Sequence, residues 1–243
     1  MASTSEKKKK KNVANFQDLI EFVTAYGATY NPSKNSLKLP QLIALKASAD
    51  ATLADVITKN TNYNNKVNER ITAFSGLKSL STRLVNALQT TDATTETIGN
   101  AKTFNRKMQG KKASSSQTPT DPNTPAPNTI STSQQSYDQL IQHLAGLTSI
   151  LEAETSYTPN ETDLQVATLQ TKIADLTAKN TAVATAYASI SNSRIARNET
   201  LYSSSTGLVE TANEVKKYIK SVFGASSPQF AQVKGIQFKI IKN

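Results

Sequence analysis

One phrase occurs twice in this chain. Residues 30–42 read YNPSKNSLKLPQL and residues 157–169 read YTPNETDLQVATL. The tyrosines align, as do the prolines two places later. Leu37, Leu39 and Leu42 fall on Leu164, Val166 and Leu169, all at one offset of 127 residues. An internal repeat of this reach fixes the plan before any single element is assigned: whatever one copy forms, the other forms too.

The flanks of the phrase repeat as well. Before it, Phe16, Leu19, Ile20, Val23 and Tyr26 lie at helical spacing, and so do Tyr137, Leu140, Ile141, Leu144 and Leu147. Asn15 is a candidate N-cap for the first of these helices. Ser136 and Gln139 form an S-x-x-Q capping box for the second. Pro32 and Pro159 stop these helices and turn the chain. After the phrase, Leu169, Ile173, Leu176, Asn180, Val183, Tyr187 and Ile190 alternate spacings of four and three, which is a heptad seam. Leu42, Lys46, Ala49, Leu53, Val56, Asn60 and Tyr63 answer at the same offset, more weakly because a lysine takes one position. Asn60 and Asn180 are polar seam positions that either fix register from within the seam or face solvent. From about residue 40 to 74 this helix would be about 50 Å long. A third helix aligns at a slightly larger offset, Leu77, Leu84, Val85 and Leu88 against Leu208, Val215, Lys216 and Ile219.

The expected fold is therefore all-α: two tandem, internally duplicated antiparallel three-helix bundles with long heptad-bearing helices. The stretch 110–135 contains four of the eight prolines among Ser and Thr, and reads as a flexible linker. The domains expected are a disordered poly-Lys tail at 1–11, a first bundle at 12–109, the linker at 110–135 and a second bundle at 136–243. The second bundle ends differently from the first. Ser227-Pro228 opens a short helix that Gly235 closes, and Ile236, Phe238 and Ile240 alternate with polar residues like a short strand or arm.

Charge is unevenly spread. Residues 1–112 hold 18 Lys+Arg against 8 Asp+Glu, whereas residues 113–243 hold 10 of each. The consecutive Lys7, Lys8, Lys9, Lys10 and Lys11 supply half of the net +10. With Lys111 and Lys112, and with Lys102, Arg106 and Lys107 nearby, they read either as a solubilising tail or as the candidate polyanion-binding residues, each phosphate contact releasing counterions. Lys216, Lys217 and Lys220 form a second cluster, which a Glu214–Lys217 pair would make an ordinary charged face. No stretch has the apolar core of a signal peptide or the length of a membrane span, so the expected location is cytoplasmic, with unconventional export left open.

Chemistry has few places to reside. The chain lacks cysteine, which removes disulfides, thiolate metal sites and thiol nucleophiles. His143 is the only histidine and has Leu140 where a di-metal bundle would carry Glu, so it reads as a helix-surface or boundary residue. Glu152 and Glu154 diverge on a helix and read as a solvated helix end. Gly110-Lys111-Lys112 fails the phosphate-loop pattern, because Asn105 and Lys112 occupy its first Gly and its Ser/Thr positions. No catalytic residue, cofactor or metal is expected, and the chain is not expected to be an enzyme.

One resemblance rests on the end of the chain. Arg197, Leu201, Tyr202, Lys217, Tyr218, Phe223, Gly224, Ser227, Pro228 and Phe238 lie in residues 197–238. This stretch resembles one found in conserved helical proteins of bacteria, Bacteroidetes-type chains among them, to which no activity attaches. The resemblance covers about a sixth of the chain and implies no catalytic residue. The function expected is a structural or interaction protein, a duplicated helical scaffold that self-associates or binds protein partners through its heptad helices. The alternative is nucleic-acid or polyanion binding through the basic tail and first repeat.

Overall fold

A computed structural model describes residues 4–110 and 135–241. The all-α expectation holds: the described residues form helices α1 (Thr4–Ala25), α2 (Leu39–Phe74), α3 (Leu77–Leu88), α4 (Thr95–Gln109), α5 (Tyr137–Ala153), α6 (Val166–Tyr202), α7 (Leu208–Phe223) and α8 (Pro228–Lys234), and no strand. Short 3-10 turns at Asn35–Leu37 and Thr162–Leu164 precede α2 and α6 at the same offset of 127 residues.

These turns explain the repeated phrase. The Tyr30 hydroxyl donates to the Leu37 carbonyl at 2.8 Å, and the Tyr157 hydroxyl donates to the Leu164 carbonyl at 3.0 Å. Both tyrosines and both leucines are buried. The tyrosine ring thus supplies apolar area while its hydroxyl satisfies a carbonyl that the tight turn leaves without a helical partner.

The compact units do not follow the sequence repeats. The described residues divide into one unit drawn from 1–63 and 186–243 and another drawn from 64–185. The expected bundles at 12–109 and 136–243 are therefore corrected. Each unit takes the first helix, the turn and the start of the long helix from one repeat. It takes the end of the long helix and the third helix from the other.

In the first unit, Phe16, Leu19, Ile20 and Val23 of α1 pack with Leu42 and Leu53 of α2 and with Leu208, Ala212, Val215 and Ile219 of α7. In the second, Leu144, Leu147 and Leu151 of α5 pack with Leu169 and Leu176 of α6 and with Leu77, Leu84 and Leu88 of α3. At about 1.5–3 kcal/mol for each fully buried large side chain, such layers dominate the stability of a helix pair. The offset identified equivalent residues, but equivalent residues need not contact one another.

The seams are only partly buried. Leu42, Ala49, Leu53, Val56, Leu169, Leu176, Val183 and Ile190 are buried, but Tyr187 is 58% exposed and stacks on Tyr63 at 5.9 Å. Asn180 accepts from Arg70 and donates to Asp138, and it does so at a half-exposed position.

Three further expectations change. Residues 4–11 are helical as the start of α1, not a disordered tail. Asn15 is accordingly inside α1, not its cap. The first repeat carries a fourth helix, α4, started by Thr94 accepting from the Thr97 amide and ended by Gly110 at φ 74, a left-handed stop that glycine makes without strain. The Ser136 cap on α5 and the Ser227 cap on α8 form as expected. Residues 111–134 of the expected linker, Lys111 and Lys112 included, lie outside the described residues.

α4 and the C-terminal arm do the same work in the two units. Phe16 of α1 and His143 of α5 are equivalent residues. Phe16 meets the ring of Phe238 edge-on, whereas His143 faces the ring of Phe104 on α4, each with centroids 6.4 Å apart. His143 is therefore buried rather than at the surface. A Cβ at Gly146, one turn further along α5, would lie on the Phe104 ring. That glycine is a packing requirement.

Candidate polyanion-binding face

The lysine run is sorted by helix geometry. At about 100° per residue, Lys7, Lys8, Lys10 and Lys11 fall on one side of α1, and Lys9 falls on the side of Val13 and Phe16. The first four are exposed and Lys9 is 1% exposed. A row of five identical residues carries no periodicity of its own. The apolar pattern downstream sets the phase.

Beneath the exposed lysines lies a buried polar layer. The Arg197 guanidinium, 1% exposed, donates to both carboxylate oxygens of Glu6 at 2.8 and 2.9 Å and to the Asn198 side chain. Lys9 reaches the same carboxylate at 3.3 Å. Burial, together with the Arg197 charge beside it, holds the Lys9 ammonium below the usual lysine range, against the pull of Glu6. Glu6 is thus shared between Arg197 and Lys9.

The C-terminal arm closes this layer. The Asn12 side chain donates to the Lys239 carbonyl at 2.7 Å and accepts from the Lys239 amide at 3.1 Å. Asn15 donates to the Gln237 carbonyl at 2.7 Å. An extended segment with no strand beside it thus has its backbone satisfied by two asparagines one turn apart. The Lys239 side chain remains exposed, and the exposed Arg194 acts on Lys9 from α6. Arg194 and Lys239 are thus further exposed cations of the first unit, the one acting on Lys9 and the other joined to Asn12 through its backbone.

The other candidates disperse. Lys102, Arg106 and Lys107 lie on α4 in the second unit. Lys216 is turned onto the carbonyls of Lys234 and Ile236, and burial lowers its pKa. Glu214 pairs with Lys34 at 2.6 Å, not with Lys217. Glu152 accepts from Gln170, and Glu154 accepts from the Ser156 hydroxyl and amide, which lowers its pKa. Among the described residues no group of three or more His, Asp or Glu is placed to hold a metal ion, and no helix is long and apolar enough to cross a membrane. A surface hollow of about 600 Å³ in the second unit is lined by Asn65, Asn68, Glu69, Thr72, Ala73 and Lys179.

Sequence reasoning passed over Arg70 and Arg197 as a pair. They stand 127 residues apart, and each reaches the first helix of the other repeat: Arg197 binds Glu6 on α1, and Arg70 lies 4.0 Å over the Tyr137 ring at the start of α5. The constant offset was the signal available. No protein-family model, curated protein or solved structure matches the chain.

Proposed function

We propose that this chain is a non-catalytic helical scaffold that binds nucleic acid, or a polyanion like it, on the basic face of α1. The observation that carries the reading is the sorting of the lysine run. Four lysines stand outward on a helix anchored by a part-buried Glu6–Arg197 pair, so their charges are held together without ordering a free tail on binding. From Lys7 to Lys11 the axis rises about 6 Å, along which a DNA duplex carries about four phosphates counting both strands. No base-reading motif accompanies them, so contact would be to the backbone and independent of sequence.

The test is a titration of nuclease-treated protein with labelled duplex and single-stranded DNA. With four phosphate contacts, duplex affinity is expected to fall about a hundredfold between about 50 and 200 mM salt. Exchanging Lys7, Lys8, Lys10 and Lys11 together for Gln should abolish most of that binding, and Lys9→Met should leave it unchanged. No binding at the lower salt, or binding indifferent to the four exchanges, would refute the reading.

A second reading, association with a protein partner or a second copy, is favoured by Ile43 and Ile57. Both are 52% exposed on α2, two heptads apart. Sedimentation of the parent and of Ile43→Glu/Ile57→Glu decides it. A parent that sediments as a monomer at every concentration removes self-association.

A further inference from the structure

Two ion pairs occupy equivalent places in the two units, and their polarity is reversed. In the first unit Lys34, in the turn before α2, pairs with Glu214 on α7. In the second, Asp163, in the turn before α6, pairs with Arg83 on α3, with an Arg83 Nη2 to Asp163 Oδ1 distance of 3.2 Å. Arg83 and Glu214 are equivalent positions of the third helices, at the offset that aligns Leu77 with Leu208. Lys34 is equivalent to Glu161, which also acts on Arg83.

The surrounding sequence agrees. The first turn carries Lys34 and Lys38 and no acid, and the second carries Glu161 and Asp163 and no base. For a repeat to close on itself, α2 or α6 would have to fold back midway; Lys34 would then face Arg83, and Glu161 and Asp163 would face Glu214. Every pair in that arrangement is of like charge.

We infer that these charges select which third helix each turn accepts: the turn of the first repeat takes the third helix of the second, the turn of the second repeat takes that of the first, and each rejects its own. One exposed ion pair contributes little. Specificity is a difference between arrangements, however, and here the competing arrangement converts attractions into repulsions. The same rule governs a second copy of the chain, which could supply only the opposite repeat. The equivalent core positions of the third helices are aliphatic in both repeats though not identical, Leu77, Leu84 and Leu88 standing against Leu208, Val215 and Ile219.

The chain lacks cysteine, so paired spin labels report the docking directly in the full-length protein. Ser33→Cys/Lys217→Cys reads the first unit, and Asn160→Cys/Asn86→Cys reads the equivalent place in the second. Each is expected to give one short distance in the parent. Exchanging the helix charges, Arg83→Glu/Glu214→Arg, should cut the short-distance fraction about tenfold. Exchanging the turn charges as well, with Lys34→Glu, Glu161→Lys and Asp163→Lys, should restore it. Parental distances in the helix exchange would overturn the inference, since the cores would then choose the partner unaided. If the helix exchange fails to fold, the combined variant decides: failure to recover both short distances overturns the inference as well.

Discussion

The Arg197 guanidinium holds the Glu6 carboxylate through two hydrogen bonds of 2.8 and 2.9 Å, across 191 residues of sequence. This one contact sets the first turns of α1 against the last turns of α6. The lysine run lies within the helix that this contact and the core residues Val13 and Phe16 hold in place. A buried guanidinium stripped of its carboxylate is far costlier than one replaced together with it. Glu6→Ala is expected to lose about 3 kcal/mol in denaturant unfolding, and Glu6→Ala/Arg197→Met distinctly less. A double variant as unstable as Glu6→Ala would show that the pair has no separable role.

Tyr30→Phe and Tyr157→Phe each remove one hydroxyl that satisfies a buried turn carbonyl. Each should lower stability by about 1 kcal/mol, and because the two sites lie in different units the losses should add. Non-additive chemical unfolding would count against equivalent, independent turns.

These hydroxyls also predict alkaline behaviour. Burial, with the Glu161 and Asp163 charges adding to it, pushes the Tyr157 pKa up to about 12, and burial next to Tyr218 pushes that of Tyr30 up as well. The folded state thus favours the neutral phenol. Its contribution is complete below the ordinary tyrosine value of 10 and is lost as pH rises from there through about 12. Tyrosinate absorbance on alkaline titration should show these two rings ionising last, together with loss of helix by circular dichroism. Early ionisation of both with the fold intact would contradict the buried bonds.

Gly146→Ala should destabilise the protein although alanine favours helix over glycine by about 1 kcal/mol. The added methyl falls on the Phe104 ring, and such overpacking typically costs about 1–3 kcal/mol. Phe104→Leu introduced with Gly146→Ala should recover part of the loss. A thermal midpoint raised by Gly146→Ala alone would mean that α4 yields freely.

Asn12→Ala should release the arm without unfolding α1, since it removes both side-chain bonds to Lys239 and leaves the helix backbone intact. Amide exchange at Lys239 is the readout. Protection unchanged from the parent would show that the Asn15 and Lys216 bonds and the Phe16–Phe238 contact hold the arm without Asn12.

Sequence by itself determined most of the helices, the two turns and their equivalence, but neither α4 nor the helical start of α1. Period and capping are local, and a Tyr hydroxyl bonding seven residues ahead needs nothing distant. It also held the reversed charges at 34, 83, 163 and 214, legible as a list but not as pairs. Only the tertiary structure decided what pairs with what. A repeat offset says which residues are alike, whereas packing joins residues that complement one another, and here complementarity runs between the repeats. For the same reason the inward turn of Lys9, the burial of His143 and the anchoring of Glu6 were not legible. A run of lysines takes its phase from Val13 and Phe16 downstream, but the surfaces that bury its inward member come from α6 and the arm, 191 and 227 residues away. Tyr187 continued the heptad spacing and still ended exposed, because periodicity names a face of a helix and only a neighbour can bury it.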